Sequence, residues 1–146
     1  MKKIFIVLVS VALLLFIFLT RPSDFPGYPR KSVSINDNQI QLIVADTEAR
    51  KAQGLSGSAP LRDSEGMLFL FDAPGKYGFW MKDMKFSIDL IYIKNNTVVD
   101  IIYDARPDSY PTIFLPSKEF DSVIEVHEGV VKKKGINIGD NLRYNQ

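Results

Sequence analysis

GMLFLF at residues 66–71, with FSIDLIYI downstream at residues 86–93, decides what this chain folds into. GMLFLF is apolar at every position after its glycine, the signature of a strand covered on both faces and therefore central in its sheet. In the second run Phe86, Ile88, Leu90 and Tyr92 make one face, and Ser87, Asp89, Ile91 and Ile93 the other. Working outward, SVSI at 32–35 and QIQLIVAD at 39–46 flank Asn36-Asp37-Asn38, a turn composition that tolerates left-handed backbone angles. Asn95-Asn96 makes a second hairpin, leading into TVVDIIYD at 97–104. Tyr77 to Lys82, SVIEVHEG at 122–129 and a segment near Asn141 to Tyr144 read as further strands.

One short helix is expected. Asp46 or Thr47 can cap it, Glu48 suits its first turn, and Gly54 can end it in a left-handed conformation. Residues 56–64 and the proline-containing 105–119 read as loops, and Lys132-Lys133-Lys134-Gly135 as a solvated turn. The sum is a mainly β domain, a compact sandwich or barrel-like sheet with one short helix.

The first twenty residues form a separate unit. Lys2 and Lys3 precede an uncharged apolar run from Ile4 to Thr20, near the lower length limit for a bilayer-spanning helix. The run closes on Leu15-Phe16-Ile17-Phe18-Leu19, without the small residues of a cleavage site, so a retained anchor is favoured over a cleaved signal peptide. The expected organisation is a transmembrane segment at 1–20, a Pro-rich linker at 21–31 and an extracytoplasmic domain at 32–146. That places the protein in the cytoplasmic (inner) membrane as a single-pass protein, the alternative being a secreted or periplasmic form after cleavage.

Composition excludes several function classes. The chain has no cysteine, hence no disulfide framework, thiol nucleophile or thiolate metal site. Setting aside Lys2 and Lys3 leaves 16 basic against 17 acidic residues, without the positive balance that nucleic-acid binding uses. No cofactor motif is present.

Beyond these readings, the chain resembles domain-of-unknown-function family 192 over about residues 40–142. The residues that carry the likeness are Thr47, Gly54-Leu55, Gly66-Met67-Leu68-Phe69 with Phe71, Phe79-Trp80-Met81, Ile88-Asp89, Glu125-Val126 with Gly129, and Gly139-Asp140. The resemblance implies a compact, jelly-roll-like β domain with a single helix, from prokaryotic proteins, and implies no reaction. Three positions depart from the family pattern: Ser58 near its usual arginine, Ser87 for its proline and Ser122 for its tyrosine.

The site candidates are Trp80, Met81, Asp83, Asp89, Glu125 and His127. Trp80 is either the largest piece of core or an exposed stacking platform, with Gly78 and Lys82-Asp83 suggesting an edge near the surface. Asp89 and Glu125 interrupt apolar strands, so each needs hydrogen-bond donors or a polar pocket. Structural service is the expectation for Asp89. As a pair the two could serve glycoside hydrolysis if their carboxyls stood about 5–10 Å apart. His127 with Met67, Met81 and Met84 resembles a copper(I) donor set, but methionines among aromatics are ordinary core filler, and no metal is expected. The function that fits is a non-enzymatic module binding a small ligand or an envelope protein. The alternatives are an envelope carbohydrate hydrolase using Asp89 and Glu125, or a purely structural accessory subunit.

Overall fold

Two asparagine-led turns set the hairpins of the fold. Asn36 and Asp37 have φ of 49° and 62°, and Asn95 and Asn96 have 50° and 62°, the left-handed pairs that match the twist of tightly turned strands. In a computed structural model describing residues 25–145, the first turn joins β1 (Arg30–Ile35) to β2 (Asn38–Ala45) and the second joins β4 (Ile88–Lys94) to β5 (Thr97–Ala105). Between the hairpins lie the helix α1 (Glu48–Gln53) and β3 (Glu65–Gly75). A 3₁₀ turn at Pro107–Ser109, β6 (Phe120–His127), a one-turn helix α2 (Val130–Lys133) and β7 (Leu142–Tyr144) complete the order. The proposed membrane segment, residues 1–20, lies outside the described residues; among those no helix is long and apolar enough to cross a membrane.

The strands form one seven-stranded sheet in the order β5-β4-β6-β3-β2-β1-β7. GMLFLF takes the expected central place: β3 pairs in parallel with β2 through the α1 crossover and antiparallel with β6. The close approach on one side of Gly66 explains its lack of a side chain. A Cβ there would come within 2.9 Å of the Glu125 carbonyl and of a Leu42 methyl.

The sheet curls into a half-barrel until its two ends touch. Val98 donates to the Asp140 carbonyl (2.8 Å), Gly139 to that of Val98 (2.8 Å) and Leu142 to that of Asn96 (2.7 Å). Asp140 holds this closure by accepting from the Asn137 backbone (2.7 Å) and the Asn36 side-chain amide. On the inner face Ile35, Ile40, Leu42, Val44, Leu68, Ile91, Ile93, Ile124 and Val126 pack together, covered by Val130 and Val131 of α2. On the outer face Ile43, Met67, Phe69, Leu90, Tyr92 and Val123 form a second core, covered by Phe25, Leu55, Met81 and Phe86 from the connecting segments and by Phe120 at the start of β6. At roughly 1.5–3 kcal/mol per buried large apolar side chain, these two layers hold a cysteine-free domain together.

The architecture corrects several expectations. Among the described residues there is one curled sheet, on the barrel-like side of the expectation, with no second sheet packed on it as in a sandwich or jelly roll. Two short α-helices appear among the described residues instead of one, because Val130 and Val131 plug the half-barrel and wind the start of the lysine run into a helical turn. Tyr77 to Lys82 is loop apart from one isolated pairing of Phe79 with Phe114. The described part of the stretch read as linker lies on the domain: Phe25 is buried, its ring meets Tyr28 edge-on, and Arg50 bonds the Gly27 carbonyl (3.0 Å).

Asp89 is the polar fastening of the inner face. Its carboxylate accepts from the backbone N–H groups of Asp104 (3.0 Å), Gly129 (3.0 Å) and Val131 (3.3 Å), tying the end of β5 and the start of α2 to β4. The donors satisfy a charge that would otherwise be costly to bury. Asp89→Asn turns one acceptor oxygen into a donor facing other donors. It should destabilise the domain by about 1–3 kcal/mol in chemical denaturation, and unchanged stability would contradict the fastening role.

Candidate functional site

The outer face carries a cleft of about 340 Å³. Its roof is α1, whose geometry follows the sequence closely. The Thr47 hydroxyl caps the Arg50 N–H (3.3 Å), and Gly54 ends the helix at φ 50°, with the Phe69 ring packed against it. Phe69 and Phe71 of β3 pack with Tyr77 and Phe79 into a single aromatic wall, and Trp80, Leu55 and Met84 line the rest. Phe71 stacks on Tyr77 (centroids 4.2 Å apart, 11° between planes) and meets Phe120 edge-on, so the wall is a rigid aromatic block. At the mouth the Lys51 ammonium pairs with Glu48 (2.5 Å) and stands 5.1 Å from the centre of the Phe71 ring.

Glu125 also lines the cleft. It is paired with Met67 on β3 and Leu90 on β4, so its side chain shares the outer face with the aromatic core. Only 6% of the residue is exposed. No described residue donates a hydrogen bond to its carboxyl, and burial alone pushes its pKa up to about 8. Nearby, the Tyr92 hydroxyl is buried without a partner among the described residues, and burial, helped by the Glu125 and Asp100 charges, holds the phenol well above its ordinary range. Sheet geometry thus sets one acid against an aromatic surface.

The sequence-derived candidates divide cleanly. Trp80 is 53% exposed on the cleft rim, which overturns the core reading. Met81 is buried in the outer core, and Asp83 is an exposed left-handed turn residue whose carbonyl accepts from Gly57. His127 stacks flat on Phe86 (5.7 Å, 5°) outside the cleft. Asp89 and Glu125 are not brought together: Asp89 sits opposite Val126 and Glu125 opposite Leu90, so adjacent register positions send them through opposite faces of the sheet. Where the family arginine is expected, Ser58 is buried and donates to the Leu55 carbonyl (2.9 Å). No group of three acidic or histidine side chains suited to a metal occurs among the described residues. Sequence reading missed the walls Phe69, Phe71, Tyr77 and Phe79 and the mouth pair Glu48–Lys51. The i,i+3 spacing of that pair was the one available signal.

A curled seven-stranded sheet with a helix-roofed aromatic cleft defines a small β-domain class, and comparison with known proteins places it. The chain belongs to the DUF192 family, described as "Uncharacterized ACR", which it matches over residues 31–144. No curated protein matches it. Among solved structures it is similar to one from Sinorhizobium meliloti 1021 described as a candidate transcription regulator (25% identity, TM-score 0.76, 80% of this chain and 95% of that one). It is equally similar to a protein of unknown function from Novosphingobium aromaticivorans DSM 12444 (27% identity, TM-score 0.76, 85% and 93%).

Two measurements test this geometry. A folded-state pKa of about 8 against an ordinary 4.5 means that the folded protein binds the extra proton between those values. The stabilisation is complete below about pH 4.5 and is lost as pH rises to about 8, by a few kcal/mol in all. Glu125→Gln cannot ionise, so its melting temperature should gain on the parent's between pH 5 and pH 8.5; a constant difference would contradict a desolvated Glu125. Trp80→Ala should cost less than about 1 kcal/mol, against about 3–5 for a core tryptophan. Thermal melts showing the larger loss would return Trp80 to the core.

Proposed function

We propose that the protein is a membrane-tethered, extracytoplasmic domain that binds a small ligand in the outer-face cleft and performs no chemistry on it. The observation that carries this reading is Glu125, a buried carboxyl with no donor among the described residues, facing an aromatic cleft. Buried polar groups normally find partners, and one that lacks them at a cavity floor is suited to a ligand's. At neutral pH a carboxyl titrating near 8 is mostly protonated and offers an O–H. The aromatic walls favour a flat, apolar surface. The ligand class is therefore a neutral ring compound, a sugar face or an aromatic, carrying a hydrogen-bond acceptor.

The hydrolase alternative needs two carboxyls facing one substrate. Asp89 faces the other side of the sheet with three backbone donors on it, which favours binding over hydrolysis. A transcription regulator's role, as the Sinorhizobium structure is described, would draw on nucleic-acid binding and finds little support in the nearly balanced charge. The export reading rests on the apolar run from Ile4 to Thr20.

The test is a panel of neutral sugars and aromatic carbonyl compounds titrated into the full chain in detergent, followed by the emission of its single tryptophan, Trp80. At least one class should shift that emission saturably, and its affinity should fall about tenfold per pH unit above pH 8 as Glu125 loses its proton. Saturable binding indifferent to pH, and unchanged in Glu125→Gln, would remove Glu125 from the site. A panel without any saturable shift would count against a ring-binding cleft.

A further inference from the structure

Phe79 and Phe114 exchange a pair of backbone hydrogen bonds (3.0 and 2.8 Å), an isolated two-stranded ribbon beside the cleft. Both phenylalanines pack inward on the outer core. Strand alternation sends their neighbours Gly78, Trp80, Ile113 and Leu115 to the opposite, outward side. Glycine at 78 makes room for this: a Cβ there would lie 2.5 Å from an Ile113 methyl and 3.6 Å from a Leu115 methyl. The outward face is thus continuous and apolar, yet Trp80, Ile113 and Leu115 are 53%, 56% and 59% exposed. Exposed apolar residues scattered singly need no explanation, but three on one ribbon face do.

We propose that this ribbon face seats the domain on a lipid bilayer, with Trp80, Ile113 and Leu115 in the interfacial layer. The inference rests on the anchored reading of the N-terminal run. Two observations select lipid over a protein partner. The composition is that of an interface contact, one tryptophan with two aliphatic side chains, flanked by the exposed Lys76 and Lys82, whose ammonium groups suit the head-group level. The second is the tether. Phe25 is fixed on the domain, and the five residues after Thr20 span at most about 18 Å, so an embedded apolar run holds the domain against the membrane. Phe25 borders a surface hollow with Gln53 and Ser56, which also line the Trp80 cleft, and the Ser56 hydroxyl bonds the Lys82 carbonyl (2.8 Å). The tether point and the ribbon therefore lie on the same side of the domain.

The sole tryptophan makes this directly readable. The full chain, reconstituted in phosphatidylcholine–phosphatidylglycerol vesicles, is compared with and without brominated acyl chains. Trp80 emission should fall at least twofold with brominated lipid and resist aqueous iodide. In Ile113→Ser/Leu115→Ser the brominated-lipid quenching should fall and iodide quenching rise, with an unchanged circular dichroism spectrum confirming the fold. Chain that floats with vesicles while iodide quenches Trp80 overturns the ribbon contact and leaves the anchor standing. Quenching by neither agent means that protein covers the ribbon, which overturns lipid as the occupant. Chain that does not float with vesicles overturns both the anchor and this inference.

Discussion

A sheet that must be dry on both faces governs this molecule. β4 and β6 are buried at nearly every position, and β3 is buried from Gly66 to Phe69, so neither face of the sheet centre meets water. The chain meets that demand in two ways. Curling brings the ends of the sheet together around the inner core, closed by Asp140 and plugged by α2. The outer face cannot be closed by curvature and is covered by loops, by α1 and by the segment holding Phe25. A covering assembled from loops leaves a seam, and the seam is the cleft.

Each acid follows from the face it occupies. Asp89 enters the closed side, where the β5 end and the α2 start bring three backbone donors within reach. It is a structural charge, fully partnered. Glu125, one residue out of step across the β4–β6 ladder, enters the loop-covered side, where side chains are aromatic and no described residue donates to it. Opposite electrostatic fates come from a one-position difference in register.

Much of this was legible in the sequence. The hairpin turns at Asn36-Asp37 and Asn95-Asn96, the capped helix from Thr47 to Gly54 and the central placing of GMLFLF all follow from local rules that tertiary contacts did not override. The isolation of Asp89 and Glu125 within apolar strands marked both as residues needing an account. What remained hidden depended on long-range register. Alternation gives the face of a side chain relative to its own strand, but only the β4–β6 pairing says that Asp89 and Glu125 are on opposite faces. Curvature was equally hidden, since the same strand pattern suits two packed sheets or one rolled sheet. Trp80 escaped its usual burial because Phe79 and Phe114, its ribbon neighbours, take the inward positions instead. The lysine run misled because the two valines before it, not the lysines, decide that segment's structure.

The account turns on the protonation state of Glu125, and that can be observed at the atom itself. With glutamate labelled at the side-chain carboxyl carbon, and Glu125→Gln used to assign the resonance, a ¹³C titration of the folded protein reports the carboxyl directly. A midpoint near 8 is expected, well separated from those of the exposed glutamates. A midpoint in the ordinary range near 4.5 would show a carboxyl that water or a donor already satisfies, and the case for a ligand-seeking acid in the cleft would fall with it.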